Sequence, residues 1–274
     1  MPDEPSDRIH ALVLAGEREG GDPLARAHGV AHKSLLEIEG LPMLVRVVRT
    51  LAALPRIDRI TVSSGDPDLL SAHPELVRLR EGGLLRHRPS AGSPAASVEE
   101  ALSAGPMDAP LVVTTADHPL LSPAMVERFC SEAERAGAAV VAAVVCETVI
   151  RARFPDARRT FIPLRGEAVT GANLFWFASA EGAAAARFWR RTETVRKKPW
   201  RLAALFGAST LVRFAARRLD LEAATRHLSE RIGLPVAAVR LPFAECGIDV
   251  DRPDDLRLAS RLLAASGAPR APGA

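Results

Sequence analysis

Four side chains in this sequence have the types and the setting for phosphate chemistry: Lys33, Asp117, Asp249 and Asp251. A cation offsets charge on phosphates, and carboxylates hold a hard divalent metal such as Mg2+, which takes oxygen ligands. Lys33 follows a loop that carries Gly16, Gly20 and Gly21, with Glu17, Arg18 and Glu19 among them. Small residues let backbone N–H groups approach phosphate oxygens, and Arg18 and Lys33 would complete such a cradle. A plain surface turn after a strand explains the same glycines. Asp117 stands directly after an apolar run, in TTADHPLL, where a carboxylate projects into the crevice at a strand's end. A cap or a turn is the competing role for a lone Asp there. Asp249 and Asp251 alternate along an extended segment and so share a face. With Asp117 they could supply two oxygen ligands for Mg2+. Asp251 competes as the cap of a helix opening at Pro253, with Asp254 and Asp255 favourable in its first turn.

A second small-residue stretch, RPSAGSPAASV at 88–98, runs into a helix. It offers Ser93 and Ser97 to a base or ribose, or is merely a loop and a helix start. His32, His87 and His118 have no metal-ligand spacing and read as surface or supporting residues. No GxSxG, HExxH or GxxxxGK[ST] occurs.

The elements that position these residues alternate. Apolar runs at 9–15, 59–64, 84–87, 110–116 and 138–145 read as strands. Helical spacing or caps mark 42–54, 66–72 (Asp66 as cap), 97–104 and 122–136. This rhythm predicts an α/β fold: a three-layer, Rossmann-like, mostly parallel sheet with helices on both faces. The rhythm breaks after Glu147. Runs at 160–164 and 173–177 read as an antiparallel addition near the sheet's edge. Helices follow at 180–191 and 221–232, then a strand at 236–241 and a last helix from Pro253 to about residue 265. One domain over 1–265 is expected, with a helical insertion at 180–233 and a disordered tail at 266–274.

Composition narrows the classes. The chain has 274 residues, 47% hydrophobic and 25% charged, which suits a real core. A net charge of +3 without aromatic-basic interleaving argues against nucleic acid as a partner. Cys130, Cys146 and Cys246 are far apart and read as reduced thiols of a cytoplasmic protein. The polar, acidic start is unlike a signal peptide, and no apolar run reaches the roughly 18 residues of a spanning helix. Residues 195–218 carry seven Lys/Arg and no Asp or Glu, beside Trp200, Phe206, Leu211 and Phe214. This pattern fits either peripheral contact with an anionic membrane or a basic helix packed on its own domain.

Taken together, the pattern LAGxR…DPLA…HK…L…I.G.PML, ADHPLL and DRPDDL resembles nucleotidyltransferases with a MobA-like NTP-transferase domain, whose architecture is of the GT-A-like kind. The resemblance covers about residues 9–180 and 235–262. It implies a nucleotide site at Leu14, Ala15, Gly16, Glu17, Lys33 and Asp117, with Gly92, Ser93 and Ser97 in the base-recognition loop. It also implies Mg2+ on Asp117 and on Asp251, with Asp249 a close rival, and an acceptor-side asparagine at Asn173. Lys33, Arg18 and Asp117 would carry the catalysis. The implied reaction is transfer of a nucleoside monophosphate from an NTP to a phosphorylated small-molecule acceptor, a lipid precursor among the candidates, with release of pyrophosphate. Two departures stand out: Glu17 replaces the family's second glycine, and Arg18 comes early. The rivals are a GT-A glycosyltransferase using a nucleotide-sugar and an inactive nucleotide-binding regulator. The base, the acceptor and the oligomeric state are left open by these residues.

Overall fold

The computed structural model describes residues 8–17, 20–195 and 206–266. Strand β1 (Ile9–Leu14) is buried along its whole length, as a strand covered on both faces must be. Around it lie β4 (Ile57–Ser64), β5 (Leu85–Pro89), β6 (Leu111–Thr115), β7 (Val140–Cys146), β9 (Ala168–Phe177) and β10 (Val236–Arg240), with the two-residue β8 (Ile162–Pro163) on β9. A small hairpin, β2 (Glu37–Ile38) with β3 (Leu41–Pro42), stands apart. The sheet order is β10-β7-β9-β6-β1-β4-β5. Pairs β1–β4, β1–β6, β4–β5 and β10–β7 are parallel, whereas β9 is antiparallel to β6, β7 and β8.

The expected antiparallel strand is therefore real, but it lies inside the sheet rather than near its edge. The reason is in its side chains. Leu174 and Trp176 join the core on one face, and Phe177 joins the core on the other. A strand apolar on both faces cannot sit at a half-solvated margin.

Helices α1 (Pro23–Ala27), α2 (Met43–Ala52), α3 (Pro74–Glu81), α4 (Pro94–Ser103), α5 (Pro123–Ala136), α6 (Glu147–Arg153) and α7 (Ala183–Val195) follow in turn. After them come α8 (Ala208–Ala215), α9 (Leu221–Ile232) and α10 (Pro253–Ala265). The α2 and α5 side chains fill one core with β1, β4 and β6, while α4 and α7 cover the opposite face. The layers are thus helix, sheet, helix, as predicted.

The helix expected at 66–72 is only a 3-10 turn, Leu69–Ser71, and the full helix is α3. Asp66 caps nothing there; its carboxylate accepts the Asp68 N–H at 2.9 Å in a tight turn. Pro74 opens α3, and His73 caps it by accepting the Glu75 N–H.

Within 195–218, residues 196–205 lie outside the described set, with Trp200 among them. Phe206 packs edge-on to Phe188, with ring centroids 5.5 Å apart, and Phe214 lies against the cluster of Leu164, Val169 and Leu221. Val212 is exposed. Both described phenylalanines of the segment therefore pack on their own fold. Among the described residues, no helix is long and apolar enough to cross a membrane.

Candidate active site

Backbone hydrogen bonds gather the predicted site at the carboxyl ends of the parallel strands. Ala15 N–H donates to Ser63 O and Ala116 N–H to Leu14 O, which levels the ends of β1, β4 and β6. Val250 N–H donates to Asp117 O at 2.9 Å. That one bond draws the 249–251 segment against the end of β6, although Asp117 and Val250 are 133 positions apart in the chain.

Lys33 is the centre of the arrangement. It opens a 3-10 turn, Lys33–Leu35, capped by His32, whose Nδ1 accepts from Ser34. Its Nζ donates to Asp117 Oδ2 and to Asp251 Oδ1, both at 2.7 Å. Burial works against the ammonium, but Asp117 and then Asp251 outweigh it and raise its pKa. Lys33 is accordingly a fixed cation at neutral pH. Sequence reasoning put Lys33 on phosphate and the two aspartates on a metal, and the structure brings all three side chains together.

Asp117 keeps a second oxygen, Oδ1, that is buried and has no hydrogen-bond partner among the described residues. An ionised oxygen placed so is costly unless a cation or water meets it. Asp251 is about half exposed, with a side-chain exposure of 45%. It does not cap α10. Asp255 does so, accepting the N–H groups of Asp251 and Arg252 at 3.2 and 3.0 Å. Asp255 thereby satisfies the backbone and leaves the Asp251 carboxylate to face Lys33.

Asp249 takes a different place. Its carboxylate accepts from an Arg159 Nη1, and the other Arg159 Nη donates to Asp249 O at 2.8 Å and Asp255 Oδ1 at 2.9 Å. Asn173 Nδ2 also donates to Asp249, at 3.3 Å. Burial chiefly, with Asp117 and Asp251 adding to it, raises the Asp249 pKa against the pull of Arg159. Arg159 thus holds Asp249, whereas Asp251 faces Lys33. Asn173 reaches Asp249 because β9 bulges there. The register with β7 shifts between Ala142 and Val144, and Asn173 has φ +49°, a left-handed conformation that Asn tolerates better than most residues.

The nucleotide loops are less uniform. Gly16 and Glu17 follow β1 at the mouth of the crevice, and Gly20 and Gly21 take positive φ. Glu17 sits 3.8 Å from His32 Nε2. Asp22 caps α1, and Arg26 Nη1 donates to Gly20 O at 2.6 Å, which holds the loop's far end. Arg18 lies outside the described residues. In the 88–98 stretch, Ser93 caps α4 through the Ala96 N–H, and Ser97 Oγ accepts the Ala91 N–H at 2.9 Å. Each hydroxyl still has a proton to donate. Gly92, just before Ser93, has open space beside it.

Of the histidines read as surface or supporting residues, two are interior and support the site. His32 is buried under Lys33, and His118 is fully buried with Nε2 3.4 Å from Glu245 O. Burial pushes the His118 pKa down to about 4, so it stays neutral beside Asp117. The residues that sequence reasoning missed are Arg159 and Asp255. Asp255 was visible as an acid in a helix's first turn. Arg159 sits in an arginine-rich loop with no motif to mark it.

Comparison with known proteins agrees with this geometry. Residues 11–163, more than half of the chain, match the family model described as the MobA-like NTP transferase domain. Two curated relatives are 2-C-methyl-D-erythritol 4-phosphate cytidylyltransferases. That of Solibacter usitatus is 31% identical over 130 residues, 47% of this chain and 53% of its own. That of Acidobacterium capsulatum is 28% identical over 127 residues, 43% of this chain and 50% of its own. The chain thus spans about half the length of the curated relatives it matches. A solved structure, a hypothetical transferase from Thermus thermophilus, superposes with a TM-score of 0.75 at 29% identity, covering 91% of this chain and 99% of that one. With the matched segment containing Gly16, Lys33 and Asp117 in one crevice, this chain belongs to the MobA-like NTP transferase domain family.

Proposed function

We propose that this protein is a nucleotidyltransferase that moves a nucleoside monophosphate from an NTP to a phosphorylated small-molecule acceptor and releases pyrophosphate. The observation that carries the reading is the Lys33 ammonium held at 2.7 Å from both Asp117 and Asp251, beside the Gly16 loop. Two relatives named as cytidylyltransferases favour CTP as the donor. The acceptor would be a phosphate monoester, whose oxygen is already an anion and needs no general base.

In the reaction an acceptor phosphate oxygen bonds to the α-phosphorus, and the bond from that phosphorus to the bridging β-oxygen breaks. Catalysis is then alignment and charge neutralisation. Lys33 would lie against the triphosphate, and the Gly16–Glu17 backbone would border it. The loop at 88–98 would take the base, with Ser93 and Ser97 donating their free hydroxyl protons. Asn173 and Asp249 would face the acceptor.

Among the described residues, no three His, Cys, Asp or Glu side chains form a ready metal cage. The residues nevertheless fit Mg2+, since Asp117 has a buried, unpartnered oxygen and Asp251 is a half-exposed carboxylate beside it. Such a hard ion suits carboxylate and phosphate oxygens and would offset charge at the α-phosphate. Asp117 and Asp251 would hold it, and Asp249 would stay on Arg159.

The test is pyrophosphate release with each of the four NTPs, after a thermal-shift screen with and without Mg2+. CTP should give the largest Mg2+-dependent shift. Lys33→Ala and Asp117→Ala should each lower turnover at least about 100-fold without loss of fold, as expected for a preorganised charged group. Full activity in either purified variant would overturn the assignment. A shift with a nucleotide-sugar and none with an NTP would favour the glycosyltransferase reading instead.

A further inference from the structure

Among the described residues, no helix covers one face of the sheet over β4 and β5. Its floor follows from the pairing register. His10 pairs with Arg59 and Leu12 with Thr61 across β1 and β4, and Thr61 pairs with Arg86 across β4 and β5. Side chains alternate along strands, so these five residues share one face. The opposite face carries Ala11, Ile60, Val62 and Leu85, all in the main core. Helix α4 packs on Leu12 and Leu14 of β1 and on Leu111 and Val113 of β6. The uncovered strip becomes a cleft of about 350 Å3, walled by the end of α4 and by Met107 and Leu111.

The cleft has two chemically distinct sides. Leu12, Met107 and Leu111 make the side toward α4 apolar. Arg59 and Arg86 stand on the β4–β5 side, with the Thr61 hydroxyl between them in register. Among the described residues, neither guanidinium makes a hydrogen bond or an ion pair. Two acids lie near, and Asp108 acts on Arg59 as well as on Arg8. Asp58 lies 3.5 Å from Arg8 and 3.3 Å from His10, and Asp108 lies 4.0 Å from Arg8 and 3.5 Å from His10. Arg88, further along β5, donates to Glu100 O at 2.9 Å. Arg59 faces Asp108, a half-exposed carboxylate that also lines the cleft; two guanidinium forks beside one polar strand position still suit a phosphate, which accepts several N–H groups at once. A volume of this size, part apolar and part cationic, suits a small organic anion.

We propose that this cleft is a second binding site, distinct from the crevice at the strand ends. It takes a small phosphate monoester, with the phosphate on Arg59 and Arg86 and the carbon body on Leu12, Met107 and Leu111. The proposal is independent of the nucleotidyltransferase reading, because it concerns a different part of the sheet and no turnover.

Phenyl phosphate is the probe, titrated calorimetrically into the NTP-free protein with EDTA present. Binding is expected in the wild type and in Lys33→Ala, which removes the cation of the crevice. It should weaken at least tenfold in the double variant Arg59→Gln/Arg86→Gln and in the single variant Arg86→Glu, whose altered side chain is exposed and leaves the fold intact. CTP binding in both arginine variants should match the wild type, which also checks their fold. Inorganic phosphate should bind more weakly than phenyl phosphate, and phenol should not bind. Unchanged affinity in the arginine variants, loss of binding in Lys33→Ala, or no binding to the wild type would each overturn the proposal.

Discussion

Replacing Arg159 with alanine should unfold the logic of the carboxylate side of the crevice. The Arg159 side chain is 9% exposed and engages Asp249 through side chain and backbone, and Asp255 through its Oδ1. Asp255 in turn holds the Asp251 and Arg252 N–H groups. Removing one partner of a buried ion pair commonly costs about 3–5 kcal/mol, because the other charge is left uncompensated. Asp249 is 26% exposed, so water recovers part of that. The expected loss is about 3 kcal/mol, or a fall in Tm of about 6–12 °C at about 2–4 °C per kcal/mol.

The pH dependence sharpens this test. Burial, with Asp117 and Asp251, already raises the Asp249 pKa, and Arg159 opposes the rise. Without Arg159 it must climb further. A carboxyl whose folded pKa exceeds its unfolded value binds protons preferentially in the folded state, so its burden on the fold is relieved as pH falls. Urea unfolding in EDTA should therefore show the deficit of Arg159→Ala largest at pH 8 and smaller near pH 5. A loss below about 1 kcal/mol, or one equal at both pH values, would refute the charge argument and leave only lost packing.

Two other outcomes follow from the electrostatics. Glu75 accepts from Arg49 Nε at 2.9 Å, and this bond chiefly lowers its pKa, against burial. A depressed carboxyl stabilises the fold at neutral pH and loses that contribution as pH falls through its ordinary range. Glu75→Gln should cost about 1 kcal/mol at pH 7 in urea titrations and progressively less as pH falls below the ordinary Glu range. Burial pushes the Cys130 and Cys246 thiols up to about 12, and burial followed by Glu167 raises Cys146. A thiolate-detecting reagent at pH 8 should find no fast thiol in the native protein and all three in denaturant. A native thiol reacting within seconds would contradict that.

What the sequence makes legible here is what depends on residue type at an element's end. Lys33, Asp117 and Asp251 are chemically conspicuous after strands or loops, and the parallel sheet must bring such ends to one rim. Elements marked by apolar periodicity are equally readable, as β1, α2 and α5 are. Helix α3 escapes because half of PELVRLRE is charged and it buries only Leu76. The place of β9 escapes for a different reason. Its two apolar faces say that it is covered, but not between which strands.

Arg159 shows where such reading must stop. Nothing in FPDARRT separates Arg159 from Arg158, yet the Arg159 side chain is only 9% exposed and holds two aspartates while Arg158 is exposed. Its partners lie about 90 positions away, at Asp249 and Asp255. The need for it arises only once folding has brought Asp117, Asp249 and Asp251 together, because three carboxylates at one strand end repel. Lys33 neutralises two of them in the crevice, and Arg159 restrains the third from behind. The residues that touch phosphate are therefore set by chemistry that a sequence displays. The residue that makes their crowding tolerable is set by a charge problem that exists only in the folded state.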